Sequence, residues 1–184
     1  VPTDVGANNV YDVTVQVSDG ALTDTQAIAV TVTNVNEAPV ITSDGAGASA
    51  TRNVAENSTA VTTVTATDVD AATTFTYSIS GGADAAKFAI NSSTGVLTFV
   101  AAPDFEVPTD VGANNVYDVT VQVSDGALTD TQAIAVTVTA VNDNTPVITS
   151  DGAGASASLS VGENATAVTT VTATDVDAAT TFTY

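Results

Sequence analysis

Acidic residues in this chain come in pairs one position apart, at places where a turn should follow a strand. Asp68 and Asp70 flank Val69, Asp104 and Glu106 flank Phe105, and Asp175 and Asp177 flank Val176. Single acids accompany them: Glu56 and Glu163 each precede an asparagine, and Asp125 precedes Gly126. Two polar runs stand just ahead of prolines: Asn36-Glu37 before Ala38-Pro39, and Asn142-Asp143-Asn144 before Thr145-Pro146. Carboxylates at a strand end can converge on one cation when loops bring them together, and clustered carboxylates repel unless a divalent ion neutralises them. The chemistry on offer is coordination by hard oxygens, for which calcium is the natural ion.

A pair such as Asp68 and Asp70, or Asp104 and Glu106, could also suggest glycoside hydrolysis. That reaction needs a cleft lined by substrate-binding aromatics, and a chain without tryptophan built from near-identical narrow units offers none. Charge narrows the field further. There are 21 acidic residues against two basic ones, Arg52 and Lys87, no histidine, and a net charge of −19. Nucleic acids and anionic membranes need basic surfaces and are excluded as partners. Part of the acidity serves solubility alone. Without cysteine the chain has neither disulfides nor thiolate metal sites; a secreted repeat then needs another staple, for which calcium is a natural candidate. No apolar run approaches the ~18 residues of a membrane span, and no signal peptide is present. Any anchor or export signal is therefore expected outside this stretch. The triplets beginning at Asn57, Asn91 and Asn164 match the glycosylation acceptor pattern, as chance predicts in a chain so rich in Ser, Thr and Asn.

The elements that must position the acids repeat. Residues 1–33 recur letter for letter at 107–139, 40–49 at 147–156, and 60–77 at 167–184. Such a chain is a tandem array, which points away from an enzyme. One unit of ~100 residues suits a two-sheet sandwich. We therefore expect a complete copy at 36–141, the last part of a copy at 1–35, and the first part of another at 142–184. Within the complete copy, Tyr117, Val119, Val121 and Val123 alternate with Asp118, Thr120 and Gln122, the pattern of a half-buried strand. Strands are predicted at 40–42, 61–67, 74–79, 87–91, 95–100, 116–125 and 132–141, with a turn at Asp125-Gly126-Ala127. A single helical turn is predicted at 84–87. Phe75, Tyr77, Phe88, Phe99, Phe105 and Tyr117 are expected in core and corner packing.

Set side by side, these motifs closely resemble cadherin repeats, of the bacterial cadherin-like kind, over the whole chain. Asn142-Asp143-Asn144 before proline is similar to that family's inter-repeat linker. Val54-Ala55-Glu56-Asn57 and Val161-Gly162-Glu163-Asn164 resemble its Pro-Glu-Asn motif. Asp104-Phe105-Glu106 resembles its Asp-Arg-Glu motif, and Asp68-Val69-Asp70 its Asp-Ala-Asp motif. The resemblance implies an all-β fold of tandem seven-stranded Greek-key β-sandwiches, immunoglobulin-like and joined end to end, with calcium bound at each junction.

Carried over residue by residue, the second junction would use Glu56, Asp104, Glu106, Asn142, Asp143, Asn144, Asp175 and Asp177. The first would use Asn36, Glu37, Asp68, Asp70 and Asp125, and the next copy supplies Glu163 as a further metal candidate. The sequence departs from the pattern where the linker's leading acid is Ala140 or Asn34, and where Ala38 follows Glu37. The family's strand-exchange tryptophan does not occur. The implied role is non-enzymatic: calcium-stiffened extender or adhesion repeats of a large secreted or surface-anchored bacterial protein, extracellular or at the cell surface. Its partners would be calcium, neighbouring repeats and like molecules. The alternative is a subunit of an extracellular filament or matrix, assembled by strand complementation between chains.

Overall fold

The computed structural model describes residues 3–70, 73–177 and 181–184. The chain forms two compact units, Val1–Glu37 and Ala38–Tyr184. In the first, β1 (Val10–Ser18) and β2 (Thr23–Thr31) make an antiparallel hairpin.

The second unit holds the complete sandwich. Its elements are β3 (Val40–Ile41), β4 (Ser49–Ala55), β5 (Ala60–Thr63), β6 (Ala66–Thr67), β7 (Thr76–Gly81), a 3-10 turn (Ala85–Lys87), β8 (Phe88–Ile90), β9 (Val96–Phe99), β10 (Val116–Ser124) and β11 (Thr129–Thr139). One sheet runs β4-β11-β10-β7, the other β5-β9-β8, and β3 pairs with β6. The same unit continues into β12 (Val147–Ile148) and β13 (Ala173–Thr174), which repeat the β3–β6 pairing.

Alternation along β10 and β11 places Val119, Val121, Val123, Ile134, Val136 and Val138 inside, all fully buried. They meet Ile41, Val64, Leu97, Phe88 and Phe99 of the facing elements. Phe88 and Phe99 stack at 4.6 Å, and Tyr117 meets Phe99 edge-on at 5.3 Å. Tyr77 is also buried, while Phe75 and Phe105 pack at the core's margin, so the aromatic expectation holds.

The strand expectations need two corrections. Residues 61–67 are two strands in different sheets. Between them Val64 is fully buried and its N–H donates to the Gly95 carbonyl at 2.8 Å. Gly95 has φ +71, and a Cβ there would lie 2.1 Å from the Val64 oxygen, so the crossing requires glycine. The second correction is β4, absent from the predicted set. It lacks clean alternation because only Val54 is buried along it. It forms by pairing in parallel with β11, from Ser49↔Ala133 to Ala55↔Thr139. Arg52 anchors it, with an ion pair to Asp44 at 3.0 Å and a hydrogen bond to Thr62.

The repeated hairpin separates local from long-range causes. β1–β2 and β10–β11 have the same sequence and the same register. Asp4 accepts the N–H groups of Asn8 and Asn9 at 3.0 and 3.1 Å, and Asp110 those of Asn114 and Asn115 at 2.9 and 3.1 Å. The surroundings differ: β10–β11 is flanked by β7 and β4, β11 runs on to Thr139, and burial follows. Val13, Val15 and Val17 are 49, 44 and 67% exposed, whereas Val119, Val121 and Val123 are at most 1% exposed.

Candidate metal centre

The centre grows from the end of β4. The parallel ladder continues one step past the strand, with the Glu56 N–H donating to the Thr139 carbonyl at 3.0 Å. This turns the Glu56 side chain inward, where it is 3% exposed. One carboxylate oxygen accepts the Phe105 N–H at 2.7 Å and the other the Val141 N–H at 2.7 Å. Glu56 thereby ties the 104–106 loop and the linker to the sandwich. A carboxylate has about four acceptor positions, so capacity remains on both oxygens. Asn57, in the left-handed region at φ +63, donates its N–H to the Pro103 carbonyl and its side-chain amide to Asp143 Oδ2 at 2.5 Å.

In the neighbouring loop, Asp104 Oδ1 accepts the N–H groups of Glu106 and Val107, both at 3.0 Å, which fixes the turn presenting Glu106. Burial holds the Glu106 carboxyl above the usual glutamate range, and the negative charges of Glu56, Asp177 and Asp104 push the same way. Oxygens of Glu56, Glu106 and Asp143 lie within 4.8 Å of one another.

The copy beginning after the linker adds a second wall. Asp175 Oδ1 accepts the Asp177 N–H at 3.0 Å. Asp177 is 7% exposed and accepts two hydrogen bonds from Asn144, one from the backbone N–H and one from the side-chain amide, each 2.9 Å. The Asn144 amide is the main reason the Asp177 carboxyl sits below the ordinary aspartate range. The same amide reaches Asp143 Oδ1 at 2.9 Å.

Calcium fits these residues on two counts. Oxygens around one calcium at about 2.3–2.6 Å stand no more than about 5 Å apart, which the trio satisfies. Among the described residues, six buried side-chain oxygens lack a hydrogen-bond partner, and three are carboxylates of the predicted junctions: Asp68 Oδ2, Glu106 Oε1 and Asp175 Oδ2. Buried acceptors without donors are costly unless a cation faces them.

Glu56, Asp104, Glu106, Asp143, Asn144, Asp175 and Asp177 are therefore drawn into one region, and Asn142 is exposed beside them in the linker. Asp68 and Asp70 lie at the other end of the repeat and copy the Asp175–Asp177 turn at 2.9 Å. Asp125 accepts the N–H groups of Ala127 and Leu128 at 2.7 Å and so caps its own turn. Glu163 is exposed in the turn closed by the Ala165 N–H on the Gly162 carbonyl. Asn36 and Glu37 belong to the Val1–Glu37 unit, where the Asn36 amide donates to the Glu37 carbonyl. Sequence reasoning missed Asn57 as part of the site; its place directly after Glu56 was the available signal.

Residues 50–140 match the cadherin domain family. Among curated proteins, human Protocadherin Fat 1 is 32% identical over 135 residues, covering 71% of this chain and 3% of that protein. Human Protocadherin Fat 4 is 43% identical over 96 residues, covering 50% of this chain and 2% of that protein. Among solved structures, the protocadherin gammaB7 EC3-6 cis-dimer superposes with a TM-score of 0.65 at 27% identity, over 95% of this chain and 45% of that one. Extracellular cadherin domains 3-6 of protocadherin gamma B2 give 0.63 at 26% identity, over 95% and 44%.

Proposed function

We propose a function from one premise: this chain belongs to the cadherin repeat family. The chain spans only a few per cent of the curated relatives it matches, so the role of the whole protein is inferred from the repeats. Residues 36–141 are one repeat, with 1–35 and 142–184 belonging to its neighbours. The array lies outside the cell, as extender and adhesion repeats of a large secreted or surface-anchored protein of bacterial type. It holds parts of that protein at a distance or in contact with like molecules, and it carries no catalysis.

The observation that carries this reading is the Glu56, Glu106 and Asp143 trio beside the orphaned oxygens of Glu106 and Asp175. Calcium, when bound there, supplies the positive charge that cancels repulsion among the carboxylates. The chain's own part is positional. Glu56 fixes the loop and the linker, Asp104 presents Glu106, and Asn144 holds Asp177. Near-identical copies suit a spacer, since each performs the same mechanical task. The test is small-angle scattering and calorimetry of this chain in calcium and in chelator. Longer maximum dimensions with calcium, and measurable binding heat, are expected. Unchanged dimensions with no binding would overturn the reading.

A second reading, a filament built by strand complementation between chains, is favoured by the half-exposed valines of β1–β2. Ordered fibres of the purified chain, against a monomer, decide between the two.

A further inference from the structure

We infer that Asn144 and Asn57 are positioning residues that clasp the second junction before any metal arrives; this rests on the calcium reading above. Two carboxylates are held at all four of their oxygens by amide donors. Asn144 covers both oxygens of Asp177, through its backbone N–H and its side chain. Asp143 is held on Oδ1 by Asn144 and on Oδ2 by Asn57. The three segments so joined are the turn after β4, the linker, and the 175–177 turn of the next copy.

The choice of donor matters. A lysine or arginine here would neutralise the acids and leave nothing for a divalent ion to do. The chain has two basic side chains, and the ion pair found among the described residues, Arg52 to Asp44, binds a different loop. Neutral amides orient carboxylates by hydrogen bonding while leaving their charge intact. The acids can then be held close without a cation and remain attractive to one. Such pre-organisation removes part of the ordering cost of binding.

The first linker lacks the Asn144 side chain. It reads Asn36-Glu37-Ala38-Pro39, so Ala38 adjoins the proline where the second linker has Asn144 and Thr145.

The experiment is amide hydrogen exchange by NMR on the whole chain in chelator, with calorimetric calcium titration beside it. In the parent, the Asn144 backbone amide should exchange at least about tenfold more slowly than an unstructured amide, because its acceptor is a carboxylate. Asn144→Asp keeps oxygens for an ion but removes the side-chain donor, and the protection should fall about tenfold. Asn57→Gly keeps the left-handed backbone and its N–H while removing the bond to Asp143. It should weaken calcium binding several-fold even though Asn57 is not an assigned ligand. An Asn144 amide exchanging at the unstructured rate overturns the inference, as does protection unchanged in Asn144→Asp together with unchanged affinity in Asn57→Gly. If protection is absent yet calcium binds, the clasp fails and the calcium reading stands. If protection is present and no calcium binds, the clasp stands and the calcium reading fails.

Discussion

Replacing Glu56 by glutamine tests whether this residue is a hydrogen-bond hub, a metal ligand, or both. Its two oxygens each accept a backbone N–H at 2.7 Å, and the side chain is almost fully buried. Glutamine keeps one acceptor and turns an NH2 toward the other N–H, stranding it. Losing one charge-assisted bond and burying one donor costs about 2–4 kcal/mol. Relief of repulsion from the neighbouring carboxylates opposes this by about 1 kcal/mol, the Coulomb energy of charges four to five ångströms apart in water. The net loss in chelator should be about 1–3 kcal/mol. A tenfold weaker calcium affinity, which already includes the lost relief of repulsion, adds up to about 1.4 kcal/mol at saturation. Glu56→Gln should therefore destabilise the protein by about 1.4 kcal/mol more in calcium than in chelator. Denaturant unfolding of both proteins in both conditions, followed by circular dichroism, measures the difference. Equal losses would leave Glu56 a hub and remove it from the ligand set; no loss in chelator would mean the two bonds are not formed.

Three further outcomes are expected. Val119→Ala should cost about 2 kcal/mol, and Val13→Ala, the identical change in the other copy, under about 1 kcal/mol, because one side chain is buried and the other half-exposed; equal unfolding midpoints would contradict this. Gly95→Ala should cost more than about 3 kcal/mol because its Cβ meets the Val64 oxygen, while Gly126→Ala, also at positive φ but in open space, should cost about 1 kcal/mol. Glu106 has a raised carboxyl pKa, so its ionisation disfavours the folded state; that penalty is fully present above the folded value and gone below the ordinary glutamate value. Melting curves across pH should show Glu106→Gln above the parent in chelator near neutrality, the gap closing on acidification, with the order reversed in calcium.

Much of this architecture could be read from periodicity and repetition, because the hairpins, turns and aromatic core are encoded within short stretches. The proof is internal: β1–β2 has the same hairpin register as β10–β11 without the burial. What escaped reading depends on distant partners. β4 carries no pattern of its own and becomes a strand only against β11. The break at Val64 follows from Gly95, about thirty residues on. The acids that would gather were recognisable by type and order, but not their hydrogen-bond assignments. Asp125 turned out to cap its own turn, and Asp84, read only as the start of a helical turn, is buried and accepts the N–H groups of Val111 and Asp118. Short acidic side chains bind nearby N–H groups as readily as they bind ions, and spacing alone does not separate the two.

The parallel pairing of β4 with β11 has a mechanical consequence. A repeat pulled along an array is loaded from its N-terminal strands, β3 and then β4, and from its last, β11, in opposite directions. Because β4 and β11 run parallel, the pull slides one past the other and loads all the pairs from Ser49↔Ala133 to Ala55↔Thr139 together. An antiparallel hairpin such as β10–β11, pulled from its open end, would instead peel apart one pair at a time. The least patterned strand of the repeat is thus placed where tension is shared across the most bonds at once. A proline at Ala50 or Arg52, on the side of β4 that bonds β11 in the same phase as the Glu56 N–H on the Thr139 carbonyl, removes a ladder N–H and would convert a resistant junction of strands into a yielding one.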